Sequence, residues 1–235
     1  MPKTLSYSWL GHGTFLFVSP GGKRILVDPW LNGNPTCPES AKAVGTVDIM
    51  LLTHGHGDHT GDVIPLARST GARVVAPHEL SVYLGQKGLQ AVTGMNHGGT
   101  LVAGDIAITM VPAIHSSSVI EDDGRIVYTG NPCGYVIRFE DGLTVYFAGD
   151  TCVFGDMALI GEMYSPEIAF LPIGDLYTMG PEQAAKAASL IGARQVVPMH
   201  WGTFPALTGT PARLRELVGP HGVTVIDMKP GDTAS

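Results

Sequence analysis

Cysteine is scarce in this chain. Three residues in 235, Cys37, Cys133 and Cys152, form no C-x-x-C pair. A set that is odd and sparse reads as reduced thiols of a cytoplasmic protein, not as a disulfide framework. Aromatic residues make up only 7%, so the core is expected to be mainly aliphatic. No apolar stretch approaches the length of a membrane span. The N-terminus lacks a basic segment followed by an apolar run, so no signal peptide is expected. Lys and Arg total 14 against 21 Asp and Glu, a formal net charge of -7. That balance disfavours a nucleic-acid phosphate backbone as the main partner and leaves a small molecule as the expected one. A length of 235 residues suits a single domain over 1–235, or two fused repeats of one architecture.

What the chain has in plenty is glycine, 31 residues, which predicts tight turns and active-site loops. The densest chemistry lies in Thr53–Asp62, T-H-G-H-G-D-H-T-G-D. The apolar run Val47–Leu52 before it reads as a buried strand, so the cluster stands on a loop that a sheet can aim. His54 and His56, two apart, point the same way in extended chain. Asp58 and His59 follow a glycine that lets the chain turn. One loop thus offers ligands in two directions, which suits two metals better than one. Imidazole and carboxylate suit borderline metals such as zinc. The plain alternative is a polar surface loop rich in histidine, and the context of strand before and amphipathic segment after argues against it.

T-H-G-H-G-D-H resembles the H-x-H-x-D-H signature of the metallo-β-lactamase superfamily. That resemblance implies an α/β fold, a four-layer αββα sandwich with two mixed sheets flanked by helices, and a one- or two-metal site at the sheet edge.

The remaining elements follow from periodicity and punctuation. Leu5–Leu10, Thr14–Val18 and Arg24–Asp28 read as an antiparallel meander. His12 stands between Gly11 and Gly13 at the first turn, where the resembled branch often has G-H, and is read as an active-site histidine. Asp28 ends its strand before Pro29 and is read as an acceptor that orients a ligand histidine. Residues 31–45 read as loop. Helices are expected at 62–68 and at 78–85, the second capped by Gly85. Strands are expected at 73–76 and 105–111. Cys133–Phe139 and Leu143–Ala148 read as a hairpin about Glu140-Asp141-Gly142. Helices at 154–163, 181–190 and 211–218 alternate with strands at 167–172, 195–198 and 223–226. His78, His97 and His221 fall outside any ligand pattern.

Three more candidates lie just past strands: His115 in P-A-I-H-S-S-S, Asp150 in G-D-T and His200 in P-M-H-W-G. The resemblance assigns His54, His56 and His115 to one metal, and Asp58, His59 and His200 to another, with Asp150 between. It runs through nearly the whole chain. G-N-P at 33–35, T-M-G-P-E at 178–182 and P-M-H-W-G-T-F-P at 198–205 bring it nearest to the uncharacterised metal-dependent hydrolase branch, close to ascorbate-phosphate lactonase-like proteins. That branch commonly has Tyr where this chain has Trp201. Two divalent ions are implied, zinc favoured, with manganese, iron or nickel open. A bridging hydroxide would cleave a small ester, lactone or phosphodiester. Asp58 would ligate and accept a proton, and His12 or Tyr177 would serve as the acid. Cys152, two residues beyond Asp150, reads as a thiol that does not touch the metals.

A nuclease of the same superfamily is the first competitor, and the net charge weighs against it. A flavodiiron oxidoreductase would need Glu where His56 stands, and a flavodoxin domain. A scaffold without metals would not need the full ligand set. Oligomeric state stays open, although relatives often assemble.

Overall fold

The computed structural model describes residues 4–235. β1 (Ser6–Gly11), β2 (Thr14–Val18) and β3 (Arg24–Val27) form the expected antiparallel meander. β4 (Ile49–Leu51), β5 (Arg73–Pro77) and β6 (Val92–Met95) then add in parallel. Between them the chain forms α1 (Gly57–Thr60), α2 (Val63–Thr70) and α3 (His78–Gln86). The second half repeats the plan. β7 (Thr100–Ala103), β8 (Ile106–Pro112), β11 (Cys133–Arg138) and β12 (Thr144–Phe147) pair antiparallel. β13 (Ile168–Pro172), β14 (Gln195–Met199) and β15 (Thr224–Val225) follow in parallel. Helices α4 (Met157–Tyr164), α5 (Pro181–Ile191) and α6 (Pro211–Val218) connect these last strands. β9 (Ser118–Ile120) and β10 (Ile126–Tyr128) make a separate hairpin, and β16 (Thr233–Ala234) returns to pair with β1. The two seven-stranded sheets run β16-β1-β2-β3-β4-β5-β6 and β15-β14-β13-β12-β11-β8-β7.

Alternation along the strands sorts side chains into layers. Tyr7, Phe15, Phe17 and Ile25 of the first sheet meet Ile108, Tyr135, Phe147 and Phe170 of the second in one buried core. The outer face of the first sheet packs Leu26, Met50 and Val74 against Val63, Leu80 and Leu84 of α2 and α3. That of the second packs Ala169 and Val196 against Ile160, Ala184, Ala188 and Leu214 of α4, α5 and α6. The layers are therefore α, β, β, α. The buried residues of the helix-covered layers are aliphatic, as expected, apart from Tyr146, with Tyr83, Phe154, Tyr164 and Trp201 partly buried at their margins. Between the sheets the expectation of a mainly aliphatic core is corrected in part. The few aromatics gather there, with Phe15 and Phe17 at 5.0 and 5.1 Å from Phe170 in edge-to-face pairs, a geometry worth more than area alone.

Five strands went unforeseen, among them the two-residue β16 that pairs with β1. β6 and β7 end their sheets and are only partly buried, so they carry no apolar run. β9 and β10 expose Ile120 and Ile126 at 70% each. Gly85 lies inside α3, which Lys87 caps instead. The 31–45 segment is loop save one 3₁₀ turn at Glu39–Ala41. Among the described residues no helix is long and apolar enough to cross a membrane.

Candidate metal centre

The C-terminal ends of β1, β3 and β4 meet those of β8, β12 and β14 along one edge of the sandwich, where His200 N–H donates to His12 O at 3.1 Å. After β4 the backbone bends at Thr53 and is extended at His56 (φ -63°, ψ 148°). His54 and His56 bring their rings together, centroids 4.6 Å apart. The chain then winds into the single turn α1, which presents Asp58 and His59. This turn is ordinary helix. Gly57 has no positive φ and open space about it, so the expected glycine turn is not what redirects the ligands. Gly13 is the glycine the site demands, since a Cβ there would lie 2.7 Å from His59 Cε1.

The second sheet contributes one residue per strand end. Asp150 follows β12, the middle strand, and His115 and His200 follow β8 and β14, two strands away on either side. Asp150 Oδ2 lies 3.0 Å from His200 Nε2, 3.3 Å from His59 Nε2, 3.7 Å from His115 Nε2 and 3.9 Å from His54 Nε2.

Hydrogen bonds fix which nitrogen each ring turns inward. His59 Nδ1 meets Asp28 Oδ2 at 2.9 Å. Thr53 donates its hydroxyl to the same oxygen at 2.7 Å and its N–H to Oδ1 at 2.8 Å. A hydroxyl has one proton, so Thr53 Oγ1 must accept from His54 Nδ1 at 2.9 Å. Asp28 thus orients His59 directly and His54 through Thr53, leaving both Nε2 lone pairs toward the centre. His12, fully buried, meets Asp58 Oδ2 through Nε2 at 3.1 Å and Thr203 Oγ1 through Nδ1 at 2.8 Å. An ionised Asp58 only accepts, so His12 donates from Nε2 and Thr203 donates to Nδ1. His12, Asp28 and His200 all hold the left-handed backbone at φ 54°, 47° and 55°, a strain that collects at functional sites.

Burial pushes the His12 pKa down to about 4, against its bond to Asp58. Burial likewise lowers His54, His56 and His115. It would lower His59 too, but Asp150 and Asp28, one at each ring nitrogen, outweigh it and hold His59 well above the usual imidazole range. Burial works to raise Asp58 and Asp150. The His12 bond and the His59 charge overcome it at Asp58, and His200 and His59 overcome it at Asp150, so both carboxyls lie well below the usual range. The site sets ionised carboxylates among imidazoles; burial favours the neutral form of His12, His54, His56 and His115, whereas the two carboxylates favour the charged form of His59, whose Nε2 proton a metal would displace.

Two side-chain groups have donor atoms close enough to share an ion: His54, His56 and His115, and His12, Asp58, His59 and His200; Asp28 also stands in such range of His54 and His59. His59 Nε2, both ring nitrogens of His200 and Asp150 Oδ1 are buried without a hydrogen-bond partner. Unpartnered buried polar atoms are costly. Several of them converging, imidazole lone pairs beside carboxylate oxygens, fit divalent cations. The seven expected ligands are thus brought together. Cys152 belongs to neither group. Tyr177 is 59% exposed on the loop after β13, and its hydroxyl makes no hydrogen bond among the described residues. His97 instead meets Pro132 O at 3.0 Å. Sequence reading missed Thr53 and Thr203. Each stands in a quoted motif, but a hydroxyl relay carries no spacing signal of its own.

A family model for the β-lactamase superfamily domain matches residues 23–201. A UPF0173 metal-dependent hydrolase of Koribacter versatilis is 50% identical over 231 residues, 98% of each chain. Another, of Rubrobacter xylanophilus, is 50% identical over 227 residues, 96% of this chain and 94% of that one. Among solved structures, Igni18, a metallo hydrolase of Ignicoccus hospitalis, matches with a TM-score of 0.87 at 37% identity, covering 98% of this chain and 97% of that one. Identity of this extent, carried along nearly the whole sandwich, places the chain among the UPF0173 metal-dependent hydrolases of the metallo-β-lactamase superfamily.

Proposed function

We propose that this edge holds two divalent ions, zinc foremost, and hydrolyses a small ester, lactone or phosphodiester. His54, His56 and His115 would hold one ion, and Asp58, His59 and His200 the other, with Asp150 facing both. The observation that carries this reading is Asp150, whose Oδ2 has four imidazole nitrogens within 3.9 Å while its Oδ1 has no partner. When bound, such ions supply a water of pKa about 7 and polarise the substrate oxygen.

The chain's own residues do the rest. Asp28 and Thr53 hold His59 and His54 in the tautomers that face the ions. Asp58, its side chain 33% exposed, can receive a proton from the attacking water through Oδ1, because His12 fixes Oδ2. His12 is neutral and acts through Asp58 as a positioning residue. A small molecule is favoured over nucleic acid as substrate by the formal net charge of -7.

Elemental analysis of the purified protein tests this. Close to two equivalents of a transition metal per chain supports it, and turnover assays with that metal follow. Close to none, after supplementation too, would turn the reading to a scaffold without catalysis.

A further inference from the structure

Beside the Asp58 side of the centre stands an apolar wall that the hydrolytic roles leave unused. The Trp30 and Phe204 rings lie 5.3 and 5.8 Å from the His12 ring, both edge-on, and 6.1 Å from each other. Phe204 is 39% exposed although it adjoins a buried polar centre. Trp30 is seated in a slot that only glycine leaves open. A Cβ on Gly33 would come within 2.6 Å of its Nε1, and one on Gly61 within 2.9 Å of its Cδ1. Its backbone N–H donates to Thr14 Oγ1 at 3.2 Å, and Thr14 in turn donates to Asp28 O at 2.6 Å. A ring held this firmly loses little freedom when a ligand packs on it. Covering His12 does not account for both rings, since Phe204 keeps much of its surface in water. On the far side Ile114, 54% exposed, precedes His115.

Charge points the same way. Every hydrogen bond and ion pair made by the side chains of the constellation, among the described residues, runs to a histidine, an aspartate, a threonine or a serine, and none to a lysine or arginine. Phosphoryl groups are commonly clamped by such cations as well as by metals.

We infer that Trp30 and Phe204 form a substrate subsite, and that the substrate is an uncharged carboxylic ester or lactone carrying a flat apolar group. The inference rests on the hydrolytic reading above and narrows it. Water adds across the acyl C–O bond, its hydroxyl going to the carbonyl carbon and its proton to the departing alcohol, with no further reactant.

The test uses the metal-loaded full chain. Methyl acetate, methyl phenylacetate and benzyl acetate are followed by acid release, with methyl benzyl phosphate as the anionic counterpart. One or both aromatic esters should exceed methyl acetate in kcat/KM by about tenfold, and the phosphate should trail them all. Phe204→Ala should bring the aromatic-to-methyl ratio close to one, chiefly through KM, and Phe204→Leu should restore part of it. Phenylacetamide, neutral and lacking a carboxylate, should bind the metal-free protein and lose that binding in Phe204→Ala, read by tryptophan fluorescence. Ester turnover with a ratio that Phe204→Ala does not move, or a preference for the phosphate, overturns the subsite and leaves the hydrolase standing. No turnover of any ester, with phenylacetamide still bound through Phe204, overturns the hydrolytic reading and with it the substrate class, leaving only an apolar site.

Discussion

Asp28 and Asp150 stand at matching places in the two sheets and are used in opposite ways. Each follows the middle strand of seven, β3 in one sheet and β12 in the other. Each of those strands has an antiparallel neighbour on one side and a parallel one on the other. Both carboxylates reach His59, Asp28 at Nδ1 and Asp150 at Nε2. Asp28 is saturated by Thr53 N–H, Thr53 hydroxyl and His59. Asp150 keeps Oδ1 unpartnered and gathers imidazoles about Oδ2. The neighbouring strand explains the difference. β4 is followed closely by Thr53, whose N–H and hydroxyl both donate back to Asp28. β13 runs out through Pro172, Ile173 and Gly174, which have no side-chain donor at all. The same position thus yields an orienting carboxylate where its neighbour supplies hydrogens, and an open one where it does not.

Mutation of the open carboxylate carries the largest expected effect. Asp150→Ala, which removes the atom facing both groups, should lose metal and all hydrolysis, as should His115→Ala. Metal content and turnover measured together decide this, and retained turnover would undo the ligand assignment. Asp28→Asn should be milder, weakening metal binding by about 10–100-fold through the loosened His59 and His54 rings. Thr53→Val, which cuts only the relay to His54, should fall at the low end of that range. Competition against a chelator measures both. If Asp28→Asn emptied the site as fully as Asp150→Ala, the two carboxylates would not differ in role and the comparison would fail.

Removing the metal should sharpen the contrast without a mutation. Ions that bind only the folded chain stabilise it by mass action, so chelation should lower Tm by about 10 °C for sites held well above their Kd. In Asp150→Ala the same chelator should shift Tm little, because the ions are already gone. In Asp28→Asn the shift should be intermediate at fixed metal concentration. Thermal unfolding with and without chelator reads all three.

Much of this architecture was legible from patterning. The meander, the helix-strand alternation of the second half and the strand before Thr53 all carry apolar runs whose period is set by burial on known faces. His54 and His56 announce themselves by spacing. Asp150 alone would have been a strand-end aspartate of little note, and it was the family resemblance that singled it out. Burial runs the other way at β6, β7, β9 and β10, where half-exposed edge strands leave no run to read. The link from Asp28 to Thr53 and the seat of His12 between Asp58 and Thr203 join residues 25 to 191 positions apart. They depend on the left-handed backbone of His12 and Asp28, which side-chain pattern does not encode. Gly57 shows the opposite error, since a glycine in a motif was read as a turn that the helix does not need.

The smallest expected effect lies two residues beyond each carboxylate, where the halves carry Trp30 and Cys152. A thiolate that close to Asp150 could compete as a soft ligand. The fold turns it elsewhere: the Cys152 N–H donates to Ile114 O at 3.2 Å, and the residue is only half-buried and outside both ligand groups. Cys152→Ser should therefore leave metal equivalents per chain unchanged. In the native protein Cys152 should also be the thiol that a soluble reagent labels. Cys37 and Cys133 are buried, and burial pushes both thiols above the usual range, most strongly at Cys133. A metal equivalent lost with Cys152→Ser would place sulfur in the centre and make Asp150 share its position with the residue that follows it. Labelling of Cys152 with metal content intact would leave the open carboxylate as the only ligand that β12 supplies.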